Sequence, residues 1–155
     1  MQEIAINVQH GGFSLSPLGV KRLAELKGLP CFLFKSYGDE KYTNAISPEE
    51  IGDSWFSAFT VPNPLEVAGS DQENWHNMSL EEHQASNKRW EEISLEESPK
   101  DRNCPLLIQV IKELGEKSWG SHAKLKIVEI PDGVEWEIDE YDGLEWVAEK
   151  HRTWN

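Results

Sequence analysis

Two Asp-Gly pairs, Asp132-Gly133 and Asp142-Gly143, separate three runs of alternating apolar and polar residues at 124–130, 134–141 and 144–152. Asp-Gly suits a two-residue hairpin turn, because both central residues take positive φ there. The pattern therefore predicts an antiparallel β-meander over about 124–152. Its register follows from the loop length. A two-residue loop at Asp132-Gly133 sets Pro131 against Val134, Ile127 against Ile138 and Lys126 against Asp139. That pairing joins β-branched residues and unlike charges, whereas a three-residue loop would oppose Glu129 and Glu135. The first register is expected. A sheet of this kind must bury one face, so the rest of the chain has to cover it.

The cover is legible in the helical periods. Leu107, Val110, Ile111 and Leu114 follow i, i+3, i+4, i+7, with Pro105 near the start and Gly115 just past the end. Ser16-Pro17 is a helix start, Leu23 and Leu26 share a side, and Gly28 supplies the residue after the last turn. Ile4, Ile6 and Val8 alternate as a first strand that joins the meander, and Cys31-Phe32-Leu33-Phe34 reads as a short buried strand. Ser47, Ser79 and Ser94 are each followed three residues later by Glu, so each predicts a capping box. The helix near 79–92 has few apolar positions (Leu80, Ala85, Trp90) and reads as a polar arm over about 79–98. Residues 61–78, with Val61-Pro62-Asn63-Pro64 and Ala68-Gly69-Ser70-Asp71, read as a long irregular excursion. The expected fold is α+β, one domain over 1–155, its sheet packed against helices near 16–27 and 104–114.

Charge bounds the partners. The chain carries 28 acidic and 15 basic side chains, a net charge of -13, so it lacks the clustered cations that bind nucleic acid through its phosphates. The acid is spread along the chain rather than gathered in a tail. An anionic membrane surface is disfavoured for the same reason, and no apolar run approaches the ~20 residues that span a bilayer. Cys31 and Cys104 are isolated, which suits core packing in a reducing cytoplasm better than a disulfide framework.

Few residues carry recognisable chemistry. Glu135, Glu137 and Asp139 share one strand face, where a solvated surface is the simpler reading than a cation site or an acid/base pair. The five histidines show no zinc spacing, and no nucleophile motif occurs. Gly11-Gly12-Phe13-Ser14 lies between a strand and a helix, where amides favour anions, although a simple turn explains it as well. The C-terminal Lys150-His151-Arg152-Thr153-Trp154 places cations and an indole at the end of an acidic chain. Arg152 and Trp154 could hold an anionic ring by a charge-assisted bond and stacking. Alternatively Trp154 anchors the terminus and Arg152 neutralises the sheet. The candidate ligand-binding set is Gly11, Gly12, Phe13, Tyr141, His151, Arg152 and Trp154; no catalytic residue, metal ligand or cofactor is assigned.

The stretch from Ala123 to Trp154, with its KLKIVEIPDGVEWEIDEYDGLEWVAEKHRTW pattern, resembles the ending of a group of small uncharacterised bacteriophage and bacterial proteins. The helix over 106–115 and the early Gly-Gly-Phe fit the same resemblance. It implies a phage-type accessory protein acting in the host cytoplasm, without implying an activity. The expected function is non-catalytic binding of a small anionic, nucleotide-like ligand or a host defence protein, countering host defence. Two other classes stay open. One is a small hydrolase or nucleotide-modifying enzyme using a carboxylate and His151. The other is an acidic DNA mimic or a homo-oligomeric assembly protein.

Overall fold

In the computed structural model, which describes residues 1–38, 41–69, 75–152 and 154, the first strand is enclosed from both sides. Strand β1 (Gln2–Asn7) buries Ile4, Ala5, Ile6 and Asn7 in succession, so it lacks a solvent face. One edge pairs antiparallel with β5 (Leu125–Ile130), setting Ile4 against Val128 and Ala5 against Ile127. The other edge bonds to groups outside any ladder. The amide of Ala5 donates to the Arg102 carbonyl at 2.8 Å, and that of Asn7 donates to Glu145 Oε1 at 2.8 Å.

The fold is α+β, with the C-terminal strands arranged differently from the expected meander. Strands β6 (Trp136–Tyr141) and β7 (Leu144–Glu149) form a hairpin through Asp142-Gly143, with Tyr141 opposite Leu144. Both turn residues have positive φ, 48° and 85°, as the sequence predicts. The Asp132-Gly133 hairpin does not form a ladder. Lys126 faces Ile6 rather than Asp139, and Ile138 faces Val147 rather than Ile127. The reason is local. Pro131 has no N–H to offer a ladder at that end, and Asp132, unlike Asp142, does not take the positive φ that the two-residue turn requires. Asp132 instead takes the N-terminal ammonium at 3.0 Å.

Helix α1 (Pro17–Leu26) starts at Ser16, whose hydroxyl accepts from the Gly19 amide at 3.0 Å. It lies against α5 (Pro105–Leu114), which buries Leu107, Ile108, Val110 and Ile111. Their core takes in Ala5, Phe13, Leu15, Val20 and Leu125, with Cys31 and Cys104 packed at its margin. Burial pushes the Cys31 thiol up to about 11, leaving it little thiolate for reaction near neutral pH.

A second sheet divides this core from another. Strands β2 (Phe32–Lys35), β3 (Phe56–Phe59) and β4 (Ser94–Leu95) pair antiparallel in the order β2-β3-β4. Leu33, Phe56 and Ala58 face the first core, whereas Phe34 and Phe59 face a smaller one with Ala68 and Ile93. The short helix α2 (Pro48–Ile51) opens with the expected capping box at Ser47 and Glu50. The excursion at 61–78 contains a short helix, α3 (Pro64–Ala68), whose Pro64 and Ala68 are buried.

Helix α4 (Leu80–Ile93) begins at Ser79 as expected, its hydroxyl accepting from the Glu82 amide. Ser94 is not a third helix start. It ends α4 and enters β4, and its hydroxyl donates to the Trp90 carbonyl at 2.6 Å. Nor is α4 a bare arm: Trp90 and Ile93 pack on the second core.

Candidate functional site

The expected ligand-binding residues fall into two separated groups. Gly11 and Gly12 lie against the Asp142-Gly143 turn, where the Gly11 amide donates to the Asp142 carbonyl at 3.3 Å. A Cβ on Gly143 would stand 2.7 Å from the Gly11 nitrogen, and one on Gly11 would stand 2.6 Å from the His122 carbonyl oxygen. The glycines thus permit backbone to touch backbone, which accounts for them without an anion. Gly143→Ala is expected to cost about 1–3 kcal/mol, combining a clash with a positive φ. Urea denaturation measures it, and a loss within experimental error would show that this contact is dispensable.

Phe13 is buried beneath the Arg102 guanidinium, 3.7 Å from its ring centroid, and has no open face for a ligand ring. Tyr141 is exposed beside His10, ring centroids 6.4 Å apart. His151, Arg152 and Trp154 follow the other end of β7, where Trp136 pairs with Glu149 and the Lys150 amide donates to the Glu135 carbonyl. Five residue steps of strand separate these ends, about 17 Å. The hairpin therefore keeps His151, Arg152 and Trp154 apart from Gly11, Gly12 and Tyr141. Trp154 is 87% exposed, so it does not anchor the terminus by packing. Among the described residues no group of three or more His, Cys, Asp or Glu is placed to hold a metal.

A larger concavity lies elsewhere, on the far side of the second sheet. It is a cleft of about 1270 Å³ bordered by the turn after β2, by β3, by Trp75 and His76, by α4 and by the segment from Ser94 to Ser98. Its aromatic wall follows from sequence alternation. Phe34 and Phe59 emerge on the same face of the sheet, Phe59 bordering the cleft and Phe34 fully buried behind it, and Ser86 and Trp90 border it from α4. Tyr42, held at a positive φ of 59°, completes it. The rings meet at angles: Tyr42 to Phe59 at 5.1 Å, Phe59 to Trp90 at 5.5 Å, and Tyr42 to Trp90 at 5.7 Å between centroids. Such tilted contacts are the favoured aromatic geometry and leave a rigid wall.

Polar groups are set around that wall. Lys41 Nζ lies 4.9 Å from the Tyr42 ring centroid. The Ser57 hydroxyl is 2.8 Å from that of Ser36 and 3.4 Å from the Tyr42 hydroxyl. Asn87 is exposed on the first-turn side of Trp90. Trp75 packs edge-on against His83, centroids 4.0 Å apart, and shuts the His83 Nδ1 away without a hydrogen-bond partner among the described residues.

Glu96 and Glu97 line the opposite rim. Glu97 is half-buried, and burial holds its carboxyl above the usual carboxylate range. A desolvated carboxyl in a cleft marks a place where a ligand can restore lost interactions.

None of these cleft residues belongs to the set expected from the sequence. They come from separate segments between residues 38 and 98, and adjacency in sequence carries no sign of them. The available signal was the aromatic content of that region, with Tyr42, Phe59, Trp75 and Trp90 all inside it. No family model, no curated protein and no solved structure matches the chain.

Proposed function

We propose that this is a non-catalytic binding protein whose ligand is a small, ring-bearing, nucleotide-like molecule, held in the aromatic cleft rather than at the C-terminus. The observation that carries the reading is the combination in one cleft of a rigid aromatic wall, a lysine and a desolvated carboxyl. A nucleotide has a counterpart for each. Its base stacks on an aromatic wall, its phosphate takes a cation, and its ring N–H groups donate to a carboxylate. The cleft exceeds the ~300–1,000 Å³ of ordinary small-molecule sites, so room is not limiting.

Binding without turnover is favoured by the hydrogen bonds around Ser57. Its hydroxyl partners are Ser36 and Tyr42, and among the described residues no histidine or carboxylate contacts it as an activating base. The resemblance of the C-terminal stretch supports a phage setting, in which sequestration of a host signal nucleotide would counter a defence.

Isothermal titration against a panel of mononucleotides and their nucleosides tests the reading. One-site binding is expected, with nucleotide recovered unaltered. Lys41→Ala is expected to weaken nucleotides by about 5–10-fold, as loss of a charge-assisted bond would, while leaving nucleosides unchanged. No heat with any member of the panel, or conversion of the nucleotide, would overturn it.

A further inference from the structure

A second, smaller cavity of about 270 Å³ opens on the other side of the segment that carries Glu97. Trp55, Trp119 and Phe56 supply its apolar surface, and Asp53 and Glu97 supply its charge. Trp55 is the unusual member, since its indole is 80% exposed beside a cavity whose other rings are largely covered.

We propose that this cavity receives a single arginine side chain of a partner protein. The size is the first argument, because the cavity falls below the range of whole small-molecule sites and suits one long side chain. The chemistry is the second. A guanidinium stacks on indole faces and forks to carboxylates, and Trp55 with Asp53 and Glu97 offers both.

The sign of the field has to be settled against an opposing feature. Ser16 and Pro17, at the start of α1, also line the cavity, and a helix N-terminus favours anions with roughly half a charge. That end is already occupied, since the Ser16 hydroxyl accepts from the Gly19 amide. Against the dipole that remains stand two acidic side chains, Asp53 and Glu97. His122 is exposed and is the basic side chain bordering the cavity among the described residues.

Glu97 adds support from its environment. Its carboxyl bears the desolvation of burial, and a cation seated beside it would offset that cost. The net charge of -13 works in the same direction at longer range, drawing basic surfaces towards the protein. Glu97 borders both cavities, but Trp55, Asp53 and Trp119 line this one and not the aromatic cleft, so the proposal stands whether or not the cleft binds nucleotides.

The test is a nuclear magnetic resonance titration of the whole protein with Nα-acetyl-arginine methylamide, using the corresponding citrulline amide as an uncharged isostere. Arginine is expected to move the indole N–H signals of Trp55 and Trp119, with citrulline moving them little. Trp55→Ala removes an exposed ring and is expected to weaken arginine at least about 5-fold as read at Trp119. Glu97→Gln is expected to do the same without loss of signal dispersion. Equal shifts from the two amides would overturn the proposal, as would arginine shifts scattered over the acidic surface with none at Trp55. Unchanged affinity in Trp55→Ala would do so too.

Discussion

Arg102→Met is expected to cost about 3–5 kcal/mol of folding free energy, a large part of the ~5–15 kcal/mol that holds a domain together. Arg102 forms a two-pronged ion pair with Glu145, at 2.7 and 3.1 Å, and both side chains are nearly covered, at 12% and 10% exposure. Its Nε donates to the Pro99 carbonyl at 2.9 Å, and its guanidinium covers Phe13. The backbone around it has a second task. The Arg102 carbonyl and the Glu145 carboxylate take the amides of Ala5 and Asn7, closing the edge of β1 that has no partner strand. An open edge of that kind would otherwise template association.

Removing the guanidinium leaves Glu145 buried with the Asn7 amide as its remaining donor among the described residues, and an uncompensated buried charge is the costly outcome. Urea denaturation of the single variant measures this. The double variant Arg102→Met with Glu145→Leu is expected to recover part of the loss, because it removes both charges together. A single-variant loss below about 1 kcal/mol would mean that the pair behaves like a surface ion pair.

Trp90→Ala is expected to lose about 2–4 kcal/mol and all measurable nucleotide affinity. Trp90 touches Tyr42 and Phe59 and packs against the core of Phe34, Ala68 and Ile93, so its removal opens a cavity behind the wall it forms. The loss is smaller than for a fully enclosed tryptophan because Trp90 keeps a partly exposed face. Trp90→Phe separates the two roles. It retains an aromatic surface of smaller area, so most of the stability is expected to return, with affinity reduced but present. Thermal unfolding alongside titration reads both quantities. A Trp90→Ala protein that binds as tightly as the parent would remove the cleft from consideration.

What could be read from the sequence was governed by local chemistry. The Ser16-Pro17 start of α1, the Ser79 start of α4, the apolar stripe of α5 and the Asp142-Gly143 turn all appear where their residue types place them. Each depends on neighbours within a few positions. The failures arise where a distant segment decides. Asp132-Gly133 has the same residues as Asp142-Gly143, yet Asp132 does not take a positive φ and its carboxylate holds the N-terminal ammonium, from the other end of the chain.

Ser94 has the residues of a capping box, yet α4 reaches it from the N-terminal side and β3 claims it, pairing Phe59 with Ser94. The same reasoning applies to the site. The C-terminal cations are conspicuous in an acidic chain, but the hairpin holds them far from the glycines they were grouped with. The cleft was hidden because a polar helix, a four-residue strand and several loops contribute to it, and no single one of them looks like a binding element.

The seven tryptophans supply reporters for deciding between these places. The most direct measurement follows their indole N–H signals by nuclear magnetic resonance while a mononucleotide is added. A site in the cleft predicts that Trp90 and Trp75 shift with saturation, while Trp146 and Trp154 stay in place. Saturating shifts at Trp154 with none at Trp90 would contradict the account and return the ligand to the C-terminal end.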